Sequence, residues 1–200
     1  NLEFHKSIQN ISKRINSAED IKEIIVEVNE EIRKLFNISI LNIYILDKLK
    51  KEIYSMHIEN SAIKEIHLAV NSETIAGYVA NTRRTVIIAD AYNETELKKY
   101  HEHLSFDRSL DKKTNSVTGQ IIAMPIMHER SVMGVLEVMN KKGSNKIDDY
   151  HQIFLDEISN VLGIALYNQE RILKQRRDSK FDYLIRHGLL TEAELEKAVE

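Results

Sequence analysis

The stretch QIIAMPIMHERSVMGVLEVM, residues 120–139, determines the kind of fold that this sequence can adopt. Two apolar runs, Gln120–Met127 and Val132–Met139, flank the polar segment His128–Ser131. Apolar runs joined by a short polar turn are typical of a buried antiparallel hairpin. Pro125 lies inside the first run, and because proline has no backbone N–H to donate, it favours a sheet edge or a bulge at that point.

Further strands are predicted upstream of this hairpin. Ile38–Leu46 and Ile53–Ile58 are rich in isoleucine and tyrosine, and the charged segment Asp47–Glu52 separates them, which predicts a second hairpin. Apolar residues around positions 66–68 indicate another short strand, and Val86–Ala89 indicates a brief buried one. The strands are therefore expected to form one antiparallel sheet.

Helices are predicted on both sides of the strand-rich region and once within it. Leu2–Ile15 repeats an apolar residue every three or four positions, and residues 17–36 continue such a stripe, with Ser17 as the expected N-cap. Ile75–Ala80 predicts a short helix, and Ile147–Ile172 a long one. The long helix is expected to end in cations that complement its C-terminus: Arg171, Lys174, Arg176 and Arg177.

The polar stretch Asp90–Ser116 has no long apolar period, and we expect it to form a lid over the sheet. The order of helices, antiparallel strands, polar insertion, strands and helix is typical of an α+β fold with its helices gathered on one face of the sheet.

The composition excludes several function classes. The 200 residues carry 28 basic and 31 acidic side chains, a balance that argues against a nonspecific nucleic-acid binder. Cysteine is absent, which excludes disulfides, thiolate zinc sites and cysteine nucleophiles. Because no apolar run is long enough to span a bilayer and no signal peptide opens the sequence, we expect a cytoplasmic protein that binds neither membranes nor nucleic acid.

The sequence contains no catalytic motif that we can identify. The six glycines are scattered, so there is no phosphate-binding glycine loop and no nucleophile elbow. The segment His101–His103 holds two histidines at alternate positions, which do not share a helix face, so no metal site is predicted.

Glu137 is the most informative acid, because its predicted strand is otherwise apolar and an inward-facing carboxylate needs a partner. Thr114 and Thr118 flank the junction between lid and sheet, where hydroxyl groups would suit a polar ligand, although threonine is also common at strand starts. Other acids near the lid and sheet are expected to be solvated or paired: Glu59, Asp107 and Asp111.

Several motifs together resemble the GAF domain family, most closely the regulatory GAF domains of cyclic-nucleotide phosphodiesterases and adenylate cyclases. The likeness covers residues 17–170. It implies a six-stranded antiparallel sheet with helices packed on one face and a lid over the other, enclosing a ligand pocket. The motifs that carry it are TIAGYVA (74–80), IADAY (88–92), FD (106–107), DKKT (111–114), IIAMPI (121–126) and VLEVMNK (135–141).

The resemblance also implies a ligand site. Glu59 would accept a hydrogen bond from the edge of a purine base, and the first backbone amides of the helix at Ile75 would bind a cyclic phosphate. The ligand implied is cGMP or cAMP. Relatives that act on methionine sulfoxide use a cysteine, which this chain lacks. The pocket positions fall on Asn42, Ile58, Glu59, Ile75, Ala76, Thr114, Thr118 and Glu137.

One signature of the family is altered. The family has an Asn–Lys pair after the last strand, then a Phe and, four residues on, an Asp that pairs with the Lys. Here Asn140–Lys141 is followed by Ile147 and His151 at those positions. Asp148 or Asp149 would have to supply the carboxylate.

The C-terminal residues carry a second, weaker resemblance. Residues 179–200 are similar to the opening helix-turn-helix of the N-terminal domain of type II secretion and type IV pilus assembly ATPases. Four parts are therefore expected: a linker helix (1–16), the sensory domain (17–170), a basic linker (171–178) and the start of a second domain or a helical arm (179–200). Because the sequence starts at Asn1 and ends within an apparent helix, we expect a fragment of a longer chain.

We therefore expect a non-catalytic domain that senses a small molecule and passes its ligand state through the terminal helices to a downstream effector domain. A parallel homodimer on residues 2–35 and 150–175 would cover both apolar helix stripes. The alternative is a ligand-free dimerisation or docking module, whose own side chains would fill the pocket. An enzyme that uses Glu137 or Asp107 as a base ranks last.

Overall fold

The computed structural model describes residues 2–59, 62–144, 146–191, 193–194 and 197. Six strands form one antiparallel sheet in the order β3-β2-β1-β6-β5-β4. The strands are β1 (Ile40–Asp47), β2 (Glu52–Glu59), β3 (Ala62–Ala69), β4 (Val86–Ile88), β5 (Thr118–His128) and β6 (Ser131–Lys141). The helices are α1 (Leu2–Ser17), α2 (Ile21–Glu23), α3 (Asn29–Leu35), α4 (Ile75–Thr82), α5 (Glu94–Lys98), α6 (Ser109–Thr114) and α7 (Asp149–Arg186), with a π-helical turn (Ile24–Val28) between α2 and α3.

The predicted central hairpin is confirmed. Strands β5 and β6 pair along most of their length around a two-residue turn, in which Glu129 has a φ of 52°. Strand β4 pairs with β5 only between Ile121 and Ala123, so Pro125 has a strand partner on one side only. The register shifts at Ile126–Met127, which matches the irregularity that the proline predicts.

The sheet separates two apolar cores. Helices α1, α2, α3 and α7 cover one face, the helix face, and α4 with the lid (residues 90–116, including α5 and α6) covers the other, the lid face. Leu136 and Val138 of β6 pack in the core of the helix face, whereas Val135 and Met139 pack on the lid face. Because side chains alternate along a strand, Glu137 lies on the lid face.

Strands β1 and β2 separate along part of their length. They pair only at three positions, Ile45–Asp47 with Glu52–Tyr54, whereas β2 pairs with β3 at eight. On the separated part of β1, the carbonyl oxygen of Leu41 accepts from Asn29 Nδ2 at 2.8 Å, and that of Ile43 accepts from the Ser55 hydroxyl at 2.8 Å. Side chains therefore replace strand pairing along this edge.

Two helix boundaries differ from the prediction. Asp20, not Ser17, caps the second helix by accepting from the Glu23 amide, because α1 continues through Ser17. Helix α7 continues to Arg186, so the cations from Arg171 onward lie within the helix and do not complement its end. The predicted basic linker, residues 171–178, is helical. Among the described residues, no helix is long and apolar enough to cross a bilayer.

Helix α7 ends in a turn at Gly188. Gly188, with a φ of 66°, follows the helix, and the Leu189 amide donates to the Leu184 carbonyl at 2.9 Å. Thr191 and Glu194 then form a reciprocal capping box, in which the Glu194 carboxylate accepts from the Thr191 amide at 2.9 Å. These contacts end α7 and connect Thr191 with Glu194.

Candidate functional site

A buried carboxylate lies at the centre of the lid face. Glu137 is 4% exposed and is the direct register partner of Asn42 on β1. Asn42 Nδ2 donates to Glu137 Oε2 at 3.1 Å, and the Tyr44 hydroxyl lies 3.4 Å from the same oxygen. Asn42 and Tyr44 are two residues apart on one strand, so both side chains reach the same face.

The hydrogen bonds leave half of this carboxylate open. Both donors serve Oε2, and none of the residues that the structure describes donates to Oε1 or forms an ion pair with Glu137. Burial raises the pKa of Glu137, while the donors Asn42 and Tyr44 act in the opposite direction. A carboxylate oxygen that has no donor within the protein can accept from an N–H group of a ligand.

A cavity of about 570 Å³ lies where β1 and β2 separate. Asn42, which holds Glu137, lies in its wall. Its lid-face wall also includes Ile66 of β3 and Leu110 of α6. A largely apolar cavity of this size with a few polar groups suits a small organic ligand.

Asp111 fastens the lid to the sheet. Its side chain is 3% exposed and accepts from the Thr118 amide at 2.6 Å and the Thr118 hydroxyl at 2.8 Å. The Tyr92 hydroxyl donates to the same carboxylate at 3.0 Å, and the Arg108 guanidinium lies 4.4 Å above the Tyr92 ring. Because α6 carries Asp111 and β5 begins at Thr118, this contact closes the lid on the sheet.

The structure brings only some of the predicted site residues together. Asn42 and Glu137 are in contact. Thr118 is buried, but Asp111 occupies its hydroxyl, and Thr114 is exposed with its hydroxyl donating to its own helix at Leu110. Ile58 and Glu59 lie on β2, with side chains outside the described part of the chain.

The predicted helix-start residues lie on the lid face. Ile75 and Ala76 are the first residues of α4 and are both buried. Thr74 caps this helix by accepting from the Gly77 amide at 3.1 Å. The amides at the start of a helix have no intrahelical partner, which suits them to an anion.

Sequence reasoning missed two contributors. Tyr44 was not among the predicted site residues, although its spacing from Asn42 is a signal of a shared face. The sequence also carried no signal that Asp111 would bind both Tyr92 and Thr118, since a turn separates it from Thr118 and 19 residues separate it from Tyr92.

The altered family signature is not repaired by Asp148. Asp148 accepts from the His151 amide at 2.9 Å and from His151 Nδ1 at 2.6 Å, capping α7. Among the described residues, Lys141 takes part in no ion pair. Gln120 of β5 holds the backbone of Ile147, just before α7. Its side chain donates to the Ile147 carbonyl at 3.0 Å and accepts from the Ile147 amide at 2.8 Å.

A sequence comparison shows the family to which this fold belongs. The family model described as GAF domain matches residues 18–166. The chain therefore belongs to the GAF domain family. GAF domains are in general regulatory, ligand-sensing modules.

A curated relative from Caenorhabditis elegans, "Probable 3',5'-cyclic phosphodiesterase pde-5", is 26% identical over 189 residues. The match covers 87% of this chain and 25% of the relative, so the chain spans about a quarter of the relative's length.

Solved structures share the fold at low identity. The GAF domain of an Acinetobacter phosphoenolpyruvate-protein phosphotransferase superposes with a TM-score of 0.66 at 18% identity, covering 86% of this chain and 98% of that one. The nlh2 GAF domain of A. aeolicus, in an inactive state, superposes with a TM-score of 0.65 at 16% identity. This match covers 84% of this chain and 98% of that one. The free methionine-R-sulfoxide reductase of Neisseria meningitidis, in complex with its substrate, superposes with a TM-score of 0.62 at 13% identity. This match covers 84% of this chain and 91% of that one.

Proposed function

We propose that this chain is a non-catalytic regulatory domain that binds a cyclic nucleotide, cGMP or cAMP, between the lid face of the sheet and the lid. The observation that carries the proposal is the open oxygen of Glu137, whose hydrogen-bond partner Asn42 lines a cavity of about 570 Å³. A purine N–H would donate to Glu137, and the cyclic phosphate would lie at the start of α4 near Ile75 and Ala76.

Two further facts support this proposal. The relative from C. elegans bears the name of a cyclic phosphodiesterase and matches over most of this chain. Although a reductase shares the fold, the sequence contains no cysteine to serve as a nucleophile, which supports a role without catalysis.

A ligand-free docking module is the second candidate, and a specific observation favours it. Apolar side chains from α4 and the lid, such as Val79, Leu97 and Leu104, pack directly against the sheet. Thr118, which would face a ligand, already binds Asp111. The two functions differ in whether the cavity beside Asn42 accepts a guest.

Isothermal titration calorimetry with cGMP and cAMP tests the proposal. We expect at least one of them to bind with a Kd of about 10 µM or tighter, because the cavity has apolar walls and Asn42 in its wall holds the acceptor Glu137. The linear nucleotides 5′-GMP and 5′-AMP are the controls and should bind more weakly. If neither cyclic nucleotide gives binding heat or a thermal shift, the docking module is the correct function.

The output of the domain would be mechanical. The apolar stripe of α1, at Ile8, Ile11 and Ile15, is buried within the chain. Helix α7 still exposes apolar side chains, including Ile164 at 49% and Leu173 at 53%. We propose that the parallel homodimer expected on residues 2–35 and 150–175 buries the exposed apolar side chains of α7 against the second copy. The same helix would connect to an effector domain of a longer protein.

Light scattering tests the dimer. At about 50 µM, where a moderate dimer is populated, we expect twice the chain mass of 23.2 kDa. Ile164→Asp should give the monomer mass, because it places a charge in the contact. Leu49→Asp, at a turn residue that is 91% exposed, is the matched control and should stay dimeric. A monomer mass for the unaltered chain would contradict the proposal.

A further inference from the structure

The cavity beside Asn42 is bounded from both faces of the sheet. Leu110 and Ile66 form its wall on the lid side, whereas Val26 and Asn29 form its wall on the helix side. A paired sheet would seal these faces from each other, because strands about 4.8 Å apart leave no passage. Here β1 and β2 pair at only three positions, so the opening passes through the sheet.

The helix-side wall is an irregular helix. Residues Ile24–Val28 form a π-helical turn, and Val26 lies in its middle. Single π turns within α-helices occur frequently at functional sites, because they are less stable than the regular helix on either side. A ligand that reached through the sheet would contact this turn directly.

Two adjacent residues of β1 connect the carboxylate to this helix. Asn42 donates to Glu137 on the lid face. The carbonyl of its neighbour Leu41 accepts from Asn29, the first residue of α3, at 2.8 Å. A displacement of this part of β1 by a ligand would therefore act on the carboxylate and on the helix at the same time.

We propose that the ligand site continues through the sheet, so that a cyclic nucleotide with its phosphate at the start of α4 and its purine at Glu137 extends the outer edge of the purine to the π-helical turn at Val26. The ligand class is one with N–H donors at one end and a flat body that fits between Met56 and Ile66. This inference rests on the proposed function and adds the route of its signal: the helix next to the N-terminal helix α1 senses the ligand directly.

Two measurements on the 200-residue chain test this inference, each with whichever of cGMP and cAMP binds more tightly. Val26→Phe fills the passage from the helix side and should weaken binding about tenfold or more. Ile87→Phe, at a site on β4 that is 40% exposed and outside the cavity, is the matched control and should bind within about twofold of the unaltered chain.

Hydrogen exchange is the second measurement and needs no variant. Saturating nucleotide should slow the amides of residues 24–29 about threefold or more, in addition to those of β1. This result decides the matter if Val26→Phe fails to fold.

The outcomes separate the inference from the proposed function. If the unaltered chain binds but Val26→Phe folds and binds equally well, or if residues 24–29 exchange unchanged, the inference is wrong and the proposed function stands. If neither nucleotide binds the unaltered chain, both are overturned.

Discussion

Glu137→Gln is expected to weaken binding of cGMP or cAMP about tenfold or more while making the folded chain more stable at neutral pH. The amide oxygen of glutamine would take the place of Oε2 and accept from Asn42 and Tyr44. The amide nitrogen would then replace Oε1. A ligand N–H would face another donor, and the contact that carries the proposed function would be lost.

The gain in stability follows from the burial of Glu137. Burial raises the pKa of this carboxyl above its unfolded value, so the folded chain holds a proton that the unfolded chain has released. That contribution to stability is fully present below the unfolded pKa near 4.5 and is lost as the pH rises through the raised pKa. Glutamine does not titrate, and at pH 8 the variant should be about 1 kcal/mol more stable.

Urea unfolding at pH 5 and pH 8, together with calorimetric titration of the nucleotide, measures both effects. Glu157→Gln, at an exposed position of α7, is the matched control and should change neither quantity. If the Glu137→Gln variant binds the nucleotide as tightly as the unaltered chain, Glu137 does not contact the ligand.

Asp111→Ala is expected to cost about 3 kcal/mol of unfolding free energy and to release the lid. The substitution leaves the Thr118 amide, the Thr118 hydroxyl and the Tyr92 hydroxyl without their acceptor. The Thr118 groups are buried, so water cannot fully replace the carboxylate.

Asp107→Ala is the matched control for this change, since Asp107 lies on the same segment but is exposed and, within the described residues, hydrogen-bonds Ser109 alone. It should cost less than about 1 kcal/mol. Urea unfolding gives the free energies, and hydrogen exchange of residues 107–118 reports on the lid. Equal losses for the two variants would show that Asp111 does not fasten the lid.

Much of the fold could be predicted from local patterns. Two apolar runs and the polar turn between them were sufficient to predict the hairpin at Gln120–Met139, including the irregularity next to Pro125. Helix ends were harder, because Ser17 and Asp20 are both good N-caps and packing of α1 selected the second. The sequence did not predict that α7 extends to Arg186. The exposed residues after Leu166 show no regular apolar repeat from which the end of the helix could be located.

The candidate site was predictable only in part. The resemblance placed Asn42 and Glu137 among the pocket positions, and the structure brings them into contact. It also placed Thr114 there, whose hydroxyl instead bonds within α6. A motif assigns residue types to positions, whereas the direction of a side chain depends on the helix phase around it.

The sequence by itself determined that an antiparallel sheet forms around the hairpin at Gln120–Met139 and that no thiol chemistry is available, because these follow from local patterns and composition. Only the tertiary structure decided that both donors meet one oxygen of Glu137 and that β1 parts from β2 beside it. Those features depend on Asn29, Ser55 and Glu137, which approach β1 from distant parts of the chain, and the distances between such segments are set by packing of the whole domain.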